Sequence, residues 1–487
     1  MNWKNLTLFL FALLGLNTFS SHARKNVKHG YEIKVHFEQE VPDASIALAK
    51  YFGKGYPTVY KVDNAEVKNG KSATFKSDDS ILGGFYMILF NENRYFAEIV
   101  LNDGDNFEIH IDTLDFPRNN RFKNSPENND YLDFIKEMGK VSQAQKLLQK
   151  DLETAKSETD SNRIYEKLDM ETKKINDYRK AYIQKKPNTF LANAYKALLS
   201  VEVPEGKHYL EDGITEDSTY AYRYYKRHFW DGFDFKDERL IHSPILDTKL
   251  EEYFTRVVMP IPDSIIFEAD KLLEKPEQDK ELFKYTLHYL TKFAEESNVM
   301  GMDEVFVYLV ENYHMQGKAY WMDDELLEKF VKRAQQIAPN VVGKEAQDII
   351  VNDAFTLKEQ SLHDFDAEET ILLFWNPTCN ACLKEIPKLK KLYDEELKAK
   401  GVKVFTIVFG GDLEKIQKQI IESKIEEWNN HVITKDVQKI QDAFDAYQTP
   451  RMFFLGKNKV IEGKRLSSEG FMDFYNIYKK KKNRIHN

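Results

Sequence analysis

The stretch Phe374-Trp375-Asn376-Pro377-Thr378-Cys379-Asn380-Ala381-Cys382-Leu383-Lys384-Glu385-Ile386-Pro387 decides how the last third of this chain folds. Ile371 to Trp375 is an unbroken apolar run, which predicts a strand buried on both faces. Pro377 marks a turn, and Cys382 to Lys400 reads as a helix stopped by Gly401, with Cys379 at its opening. A thiol in that place meets free backbone N–H groups and the positive end of the helix dipole, and both favour the thiolate. Cys379 is therefore the expected nucleophile toward a disulfide in another molecule. Cys382, one turn further in and more buried, is expected to resolve the mixed disulfide by attacking the Cys379 sulfur.

The chain has 487 residues and 2 cysteines, and the two stand in this one Cys-Asn-Ala-Cys motif. A secreted disulfide scaffold of this length would use more cysteines. Zinc would need two further ligands, but there is no second cysteine pair and no two histidines stand three to five residues apart. No metal is expected, and no cofactor beyond the two sulfurs. Glu385 follows Cys382 by three residues on the same helical face, where it either shuttles the resolving thiol's proton or is a solvated glutamate beside Lys384. Thr449-Pro450 precedes a strand. A cis bond there would present the Thr449 backbone to an extended substrate, whereas a trans proline would simply open the strand. Thr449, Pro450 and Trp375 are the expected substrate-binding residues.

Outward from the motif, Val402 to Phe409 reads as a second buried strand. Helices follow over Leu413 to Trp428 and Val437 to Tyr447, then a hairpin of Arg451 to Leu455 and Val460 to Lys464 around Gly456-Lys457-Asn458-Lys459. This predicts an α/β sandwich around a mixed sheet over residues 340–487. Residues 24–118 carry alternating runs such as Ile33, Val35 and Phe37, Phe85 to Phe90, Phe96 to Leu101, and Phe107, Ile109 and Ile111. Turn-forming pieces at Lys68 to Lys71, Gly83-Gly84 and Asn102 to Asp105 divide them, so an antiparallel β-sandwich or barrel is predicted. Residues 119–339 change to helical spacing, as in Leu132, Ile135, Met138 and Val141, with breaks at Pro187, Pro204, Pro244, Pro260 and Pro339. The aromatic run Tyr220, Tyr222, Tyr224, Tyr225, Phe229 and Trp230 is expected to fill the core of that all-α region.

A net charge of -9 spread over both signs argues against a nucleic-acid partner, which needs a basic surface. Lys4, the apolar run Leu6 to Leu16 and Ser21-His22-Ala23 form the pattern of a secretory signal over residues 1–23, cleaved after Ala23. The apolar run is too short to span a bilayer, and no cysteine stands just after it for lipidation, the first being Cys379. The expected location is the periplasm, as a soluble protein with no transmembrane segment once the signal is removed.

Residues Val341 to Tyr478 resemble the exported thioredoxin-like proteins of the TlpA/ResA group. The resemblance rests on Phe374, Trp375, Cys379, Cys382, Glu385, Pro387 and Pro450. It implies a thioredoxin fold, a proton-shuttling Glu385 and a cis bond before Pro450. Thr378 and Ala381 stand where the group usually has Trp and Pro, so the potential and the direction of electron flow do not carry over. The whole arrangement is similar to exported Bacteroidetes proteins whose β and helical domains have no assigned function. The likeness extends to Asp231 to Leu240 with Ser243-Pro244, Met300 to Asp303, and Trp321.

The expected activity is thiol–disulfide exchange with protein disulfides or dithiols, as a reductant, with a membrane thiol as candidate electron donor. The competing reading is an interaction protein whose β and helical domains recognise a partner while the redox unit acts as a weak reporter. A peroxidase on the same fold ranks below both, because Asn376 stands where peroxiredoxins place a threonine.

Overall fold

The computed structural model describes residues 29–485 apart from 56, 117, 118, 278, 279 and 434. The expected signal at residues 1–23 lies outside the described residues. Among the described residues, no helix is long and apolar enough to cross a membrane. The chain divides into two compact units, one holding the residues up to Lys50 with Val59–Ile175, the other Tyr51–Thr58 with Asn176–Asn487.

The first unit is a sandwich of two four-stranded sheets. Its strands are β1 (Tyr31–Phe37), β2 (Ser45–Lys50), β3 (Tyr60–Glu66), β4 (Ser72–Ser77), β5 (Gly84–Phe90), β6 (Tyr95–Leu101), β7 (Asp105–Ile111) and β8 (Arg121–Lys123). The sheet orders are β4-β1-β7-β8 and β3-β2-β5-β6. Ile33, Val35, Ile88, Ile99, Phe107 and Ile109 fill the space between them. One pairing departs from the antiparallel expectation: β1 runs parallel to β7, with Val35 opposite Ile109 and His36 opposite His110. The chain between them builds strands of the other sheet before returning, and that crossover permits a parallel neighbour. β8 lies past residue 118, and after it come α1 (Pro126–Glu153) and α2 (Glu158–Lys185). β5 is buried along its whole length rather than on alternate residues, with Tyr131 of α1 packed 5.1 Å from Phe85. Asn128 locks that helix to β6, taking a hydrogen bond from Val100 N and giving one to Val100 O, both 2.7 Å.

In the second unit the helices are α3 (Phe190–Ala197), α4 (Tyr220–His228), α5 (Ile245–Glu252), α6 (Pro262–Leu273), α7 (Glu281–Glu296), α8 (Met302–Leu309) and α9 (Asp324–Ile337). The aromatic run is placed differently from the expectation. Phe229 and Trp230 are core residues, but α4 itself has no buried residue, and Tyr222 is exposed. The cause is helical phase. Tyr220, Tyr224 and His228 recur every four residues and meet as tilted rings along one half-buried face, with His208 stacked on Tyr220.

The rest of this unit is a seven-stranded mixed sheet in the order β10-β9-β13-β12-β11-β14-β15. Its elements are β9 (Ile350–Asp353), β10 (Glu359–Ser361), β11 (Thr370–Trp375), α10 (Asn380–Leu392), β12 (Lys403–Val408), α11 (Leu413–Glu422), β13 (Asn429–Val432), α12 (Val437–Phe444), β14 (Arg451–Leu455), β15 (Ile461–Lys464) and α13 (Phe471–Ile485). β11 pairs parallel with β12 and antiparallel with β14. Ile371, Leu373 and Trp375 face one core layer with Ile386 and Leu389 of α10, and Leu372 and Phe374 face the other with Ile440 and Phe444 of α12. This is the thioredoxin-like α/β arrangement expected from the sequence. Two helices are shorter than expected. α11 stops at Glu422 because Lys424 turns into the left-handed region, which lets Ile425 and Trp428 drop into the core. α12 stops at Phe444 because Asp445 does the same.

Within this unit the helical and α/β regions are pinned by a buried charge pair. Lys464 at the end of β15 donates to the Asp303 carboxylate in the first turn of α8 and to Asn340 O at 2.6 Å, and both charged side chains are 7% exposed. The αL turn at Gly301 (φ 89°) starts α8 and sets Asp303 in place. Truncating one partner of a buried pair strands the other charge in a medium that cannot solvate it. Asp303→Ala is therefore expected to lower the unfolding free energy by about 3–5 kcal/mol, with Asp303→Ala/Lys464→Met recovering part of the loss. Urea denaturation of the reduced protein measures both.

Candidate active site

β11 delivers the chain to the site. The turn after Trp375 is held by Asn376, whose side-chain oxygen accepts hydrogen bonds from Thr378 N at 2.8 Å and Thr378 Oγ1 at 2.7 Å. The Asn376 carbonyl accepts from Cys379 N at 3.1 Å. Cys379 then sits at the N-cap of α10 in an extended conformation, with Cys382 one turn inside. Both cysteines are free thiols; Cys379 is partly exposed and Cys382 is buried. The Cys379 Sγ lies 3.2 Å from the carbonyl oxygen of Thr449, to which its thiol donates. The Thr449-Pro450 bond is cis.

The two thiols are driven apart electrostatically. Burial pushes Cys379 upward, but the backbone N–H of Cys382, the side chains of Cys382 and Thr449 and the backbone N–H of Ala381 outweigh it, and its pKa falls below the usual thiol value. Burial dominates at Cys382 and pushes that thiol up to about 11. Cys379 is thus the more acidic and more accessible of the two thiols, and Cys382 is kept protonated beneath it.

The structure brings Cys379, Cys382, Thr449 and Pro450 together. Glu385 lies on α10 three residues beyond Cys382, and its Oε1 accepts a hydrogen bond from Ser468 N at 2.5 Å, which ties the carboxylate to the segment after β15. Trp375 is a correction. Its side chain is 0% exposed within the core layer that also contains Cys382, so it supports the site from beneath and offers a substrate no surface. Asn376 was not foreseen as a turn-holding residue, although Asn-Pro-Thr before a helix is a recognisable Asx-turn pattern. Ser468 had no signal at all, since only the fold brings it to Glu385. Elsewhere, the parallel register of β1 and β7 groups His36, Glu108 and His110 with their ligand atoms within 4.8 Å, while Lys123 pairs with Glu108 at 3.2 Å. Sequence spacing gives no hint of that group.

A buried strand leading to a Cys-x-x-Cys at a helix start, with a cis-proline strand beside it, defines a thioredoxin-like redox domain. Residues 342–464 match the AhpC/TSA family, and this part of the chain has a thioredoxin-like fold. Residues 31–131 match the domain of unknown function DUF4369, and residues 176–340 match the domain of unknown function DUF5106. Over 66 residues, 14% of this chain, it is 36% identical to the thiol-disulfide oxidoreductase ResA of Bacillus thuringiensis subsp. konkukian. The chain spans 37% of that curated relative's length. Among solved structures, a domain of a possible thiol-disulfide isomerase from Cytophaga hutchinsonii is 34% identical, with a TM-score of 0.29, covering 30% of this chain and 99% of that one. A thioredoxin-like protein from Bacteroides caccae is 19% identical with a TM-score of 0.45, covering 57% of this chain and 99% of that one.

The split between the sulfurs has a direct readout. In the reduced protein, iodoacetamide is expected to label Cys379 alone up to mildly alkaline pH. The labelling rate should reach half its maximum below the pH typical of a free thiol, and Cys382 should become reactive only as pH nears 11. Peptide mass spectrometry across pH checks the assignment, and equal labelling of the two cysteines at neutral pH would contradict it.

Proposed function

We propose that this protein reduces disulfides of other proteins in the periplasm, with Cys379 as nucleophile and Cys382 as resolving thiol. The observation that carries this reading is the contrast between a partly exposed Cys379 with lowered pKa, 3.2 Å from the Thr449 carbonyl, and a buried Cys382 raised to about 11. The Cys379 thiolate attacks one sulfur of the partner disulfide and expels the other as a thiolate. Cys382 then gives up its proton and attacks the Cys379 sulfur, releasing the second partner thiol. The protein passes from dithiol to disulfide, and the partner gains two electrons. A thiol donor, membrane-bound in this reading, restores the dithiol.

The raised Cys382 thiol makes its deprotonation the demanding step, and Glu385 on the same helix is the proton acceptor, through water. The Thr449 backbone, which faces the Cys379 sulfur, pairs with the extended substrate strand once that sulfur is engaged. The export pattern at residues 1–23 and the exported TlpA/ResA resemblance support the periplasmic location.

Cys379→Ala and Cys382→Ala should each abolish reduction of insulin disulfides, and only Cys382→Ala should accumulate mixed disulfides with periplasmic proteins on non-reducing gels. Absence of any such adduct removes the main support for this reading. Glu385→Gln should slow resolution of a preformed mixed disulfide by roughly 10²-fold while sparing its formation, as measured by stopped-flow thiol release.

A further inference from the structure

Three metal-ligating side chains meet on the outer face of the sheet β4-β1-β7-β8. β1 and β7 both alternate buried and half-buried residues, so Val35 and Ile109 enter the core while His36, Glu108 and His110 share the opposite face. The parallel register sets His36 directly across from His110, and the two rings stack with centroids 4.8 Å apart. Glu108 stands two residues before His110, with its Oε2 3.9 Å from His110 Nε2. One ligand atom from each of the three lies within 4.8 Å of the other two.

We propose that His36, Glu108 and His110 form a binding site for a divalent transition-metal ion of the zinc class, with a fourth coordination position left to water or an incoming ligand. The site lies in the β-sandwich and does not depend on the redox reading.

The spacing fits such an ion. Two atoms bonded to one tetrahedral zinc stand roughly 3.4 Å apart. The 3.9 Å between His110 Nε2 and Glu108 Oε2 is too long for a hydrogen bond, and a small side-chain rotation brings it to that value. His110 Nε2 makes no hydrogen bond among the described residues. The donor set fits as well. Two imidazoles and one carboxylate suit zinc and its neighbours, whereas calcium and magnesium take oxygen ligands. Glu38 faces the other ring nitrogen of His110 at 3.9 Å and is held by Arg121 at 2.6 Å. From that position a carboxylate orients a metal-bound imidazole.

The surrounding charges also define how an ion enters. Lys34 lies on Glu32, Arg121 on Glu38 and Lys123 on Glu108, so the cation that competes for a ligand is Lys123, at 3.2 Å. Its side chain is 64% exposed, and an exposed pair of this kind contributes little, so the ammonium can move into water. His110 Nε2 is itself shielded from solvent. The half-buried Glu108 carboxylate therefore takes the ion first, as Lys123 withdraws, and turns it in toward the two rings.

The test uses the full chain carrying Cys379→Ala and Cys382→Ala, which removes both thiols and with them the competing sulfur ligands. Competition with a chromophoric chelator reads Zn²⁺ affinity, and thermal unfolding with and without Zn²⁺ reads folding and binding together. The expected result is one Zn²⁺ per chain with a Kd of about 1 μM or tighter, and a zinc-induced rise in Tm that Ca²⁺ does not produce. His36→Ala, His110→Ala and Glu108→Gln should each weaken binding by at least about tenfold and remove most of that rise, with the metal-free Tm unchanged. Lys123→Ala should tighten binding severalfold by freeing the carboxylate, a gain that incidental binding to scattered histidines would not show and that loss of stability cannot mimic. Absence of one-to-one Zn²⁺ binding, or an affinity that both histidine substitutions leave in place, overturns the proposal. An affinity blind to both Glu108→Gln and Lys123→Ala overturns the three-ligand site equally.

Discussion

Everything at the redox pair depends on the double-sided burial of β11. Leu372 and Phe374 pack into one apolar layer while Ile371, Leu373 and Trp375 pack into the other, and none of these side chains reaches solvent. A strand with two covered faces cannot slip by one residue without exchanging its layers, so the position of its last residue is fixed. The turn that follows, closed by Asn376, therefore always presents Cys379 to the same end of α10. Trp375 contributes by filling the layer that also contains Cys382, and the apolar packing around that sulfur is what keeps it protonated. The asymmetry between the two thiols is thus a consequence of packing as much as of helix electrostatics.

Much of this was legible because the decisive signals are local. A run of apolar residues, a proline turn and two cysteines three apart specify the strand, the loop and the helix start without reference to the rest of the chain. β9, β10 and β13 were not legible, and the reason is visible in β13. Its Asn430 and His431 are buried, which no hydropathy pattern announces, and each is satisfied by partners distant in sequence: Asn430 accepts from Thr406, and His431 meets Gln360 and the Thr406 carbonyl. The parallel pairing of β1 with β7 was equally hidden, because periodicity reports which face a side chain takes and carries no information on which strand lies alongside. Trp375 was misassigned for a related reason. The sequence places it at the strand's end, and only the three-dimensional core shows that α10 covers it.

Asp445 illustrates how such non-local facts bear on function. In the sequence it is an acidic residue at the end of a short helix. In the fold it adopts a left-handed conformation that ends α12 and turns its carboxylate to Arg333, while its carbonyl takes Arg451. One residue therefore stops a helix, fixes the helical region against the thioredoxin-like region, and positions the side chain that follows the cis-proline.

That coupling bears on why the redox domain carries a helical region at all. An isolated dithiol at a helix start discriminates little among disulfides, since the reacting atoms are two sulfurs whatever chain bears them. Selectivity must then come from surfaces that meet the flanking chain, and those surfaces discriminate only if they hold a fixed geometry relative to the nucleophile. The Arg333–Asp445 pair and the buried Lys464–Asp303 pair hold such a fixed geometry between the helical and α/β regions. A buried ion pair is a poor source of net stability but a strict geometric constraint, because a misplaced register leaves both charges unsolvated. These two pairs, one half-buried and one buried, fix the end of α12 and the end of β15 against the helices, and so fix the loop that carries Thr449 and Pro450 between them.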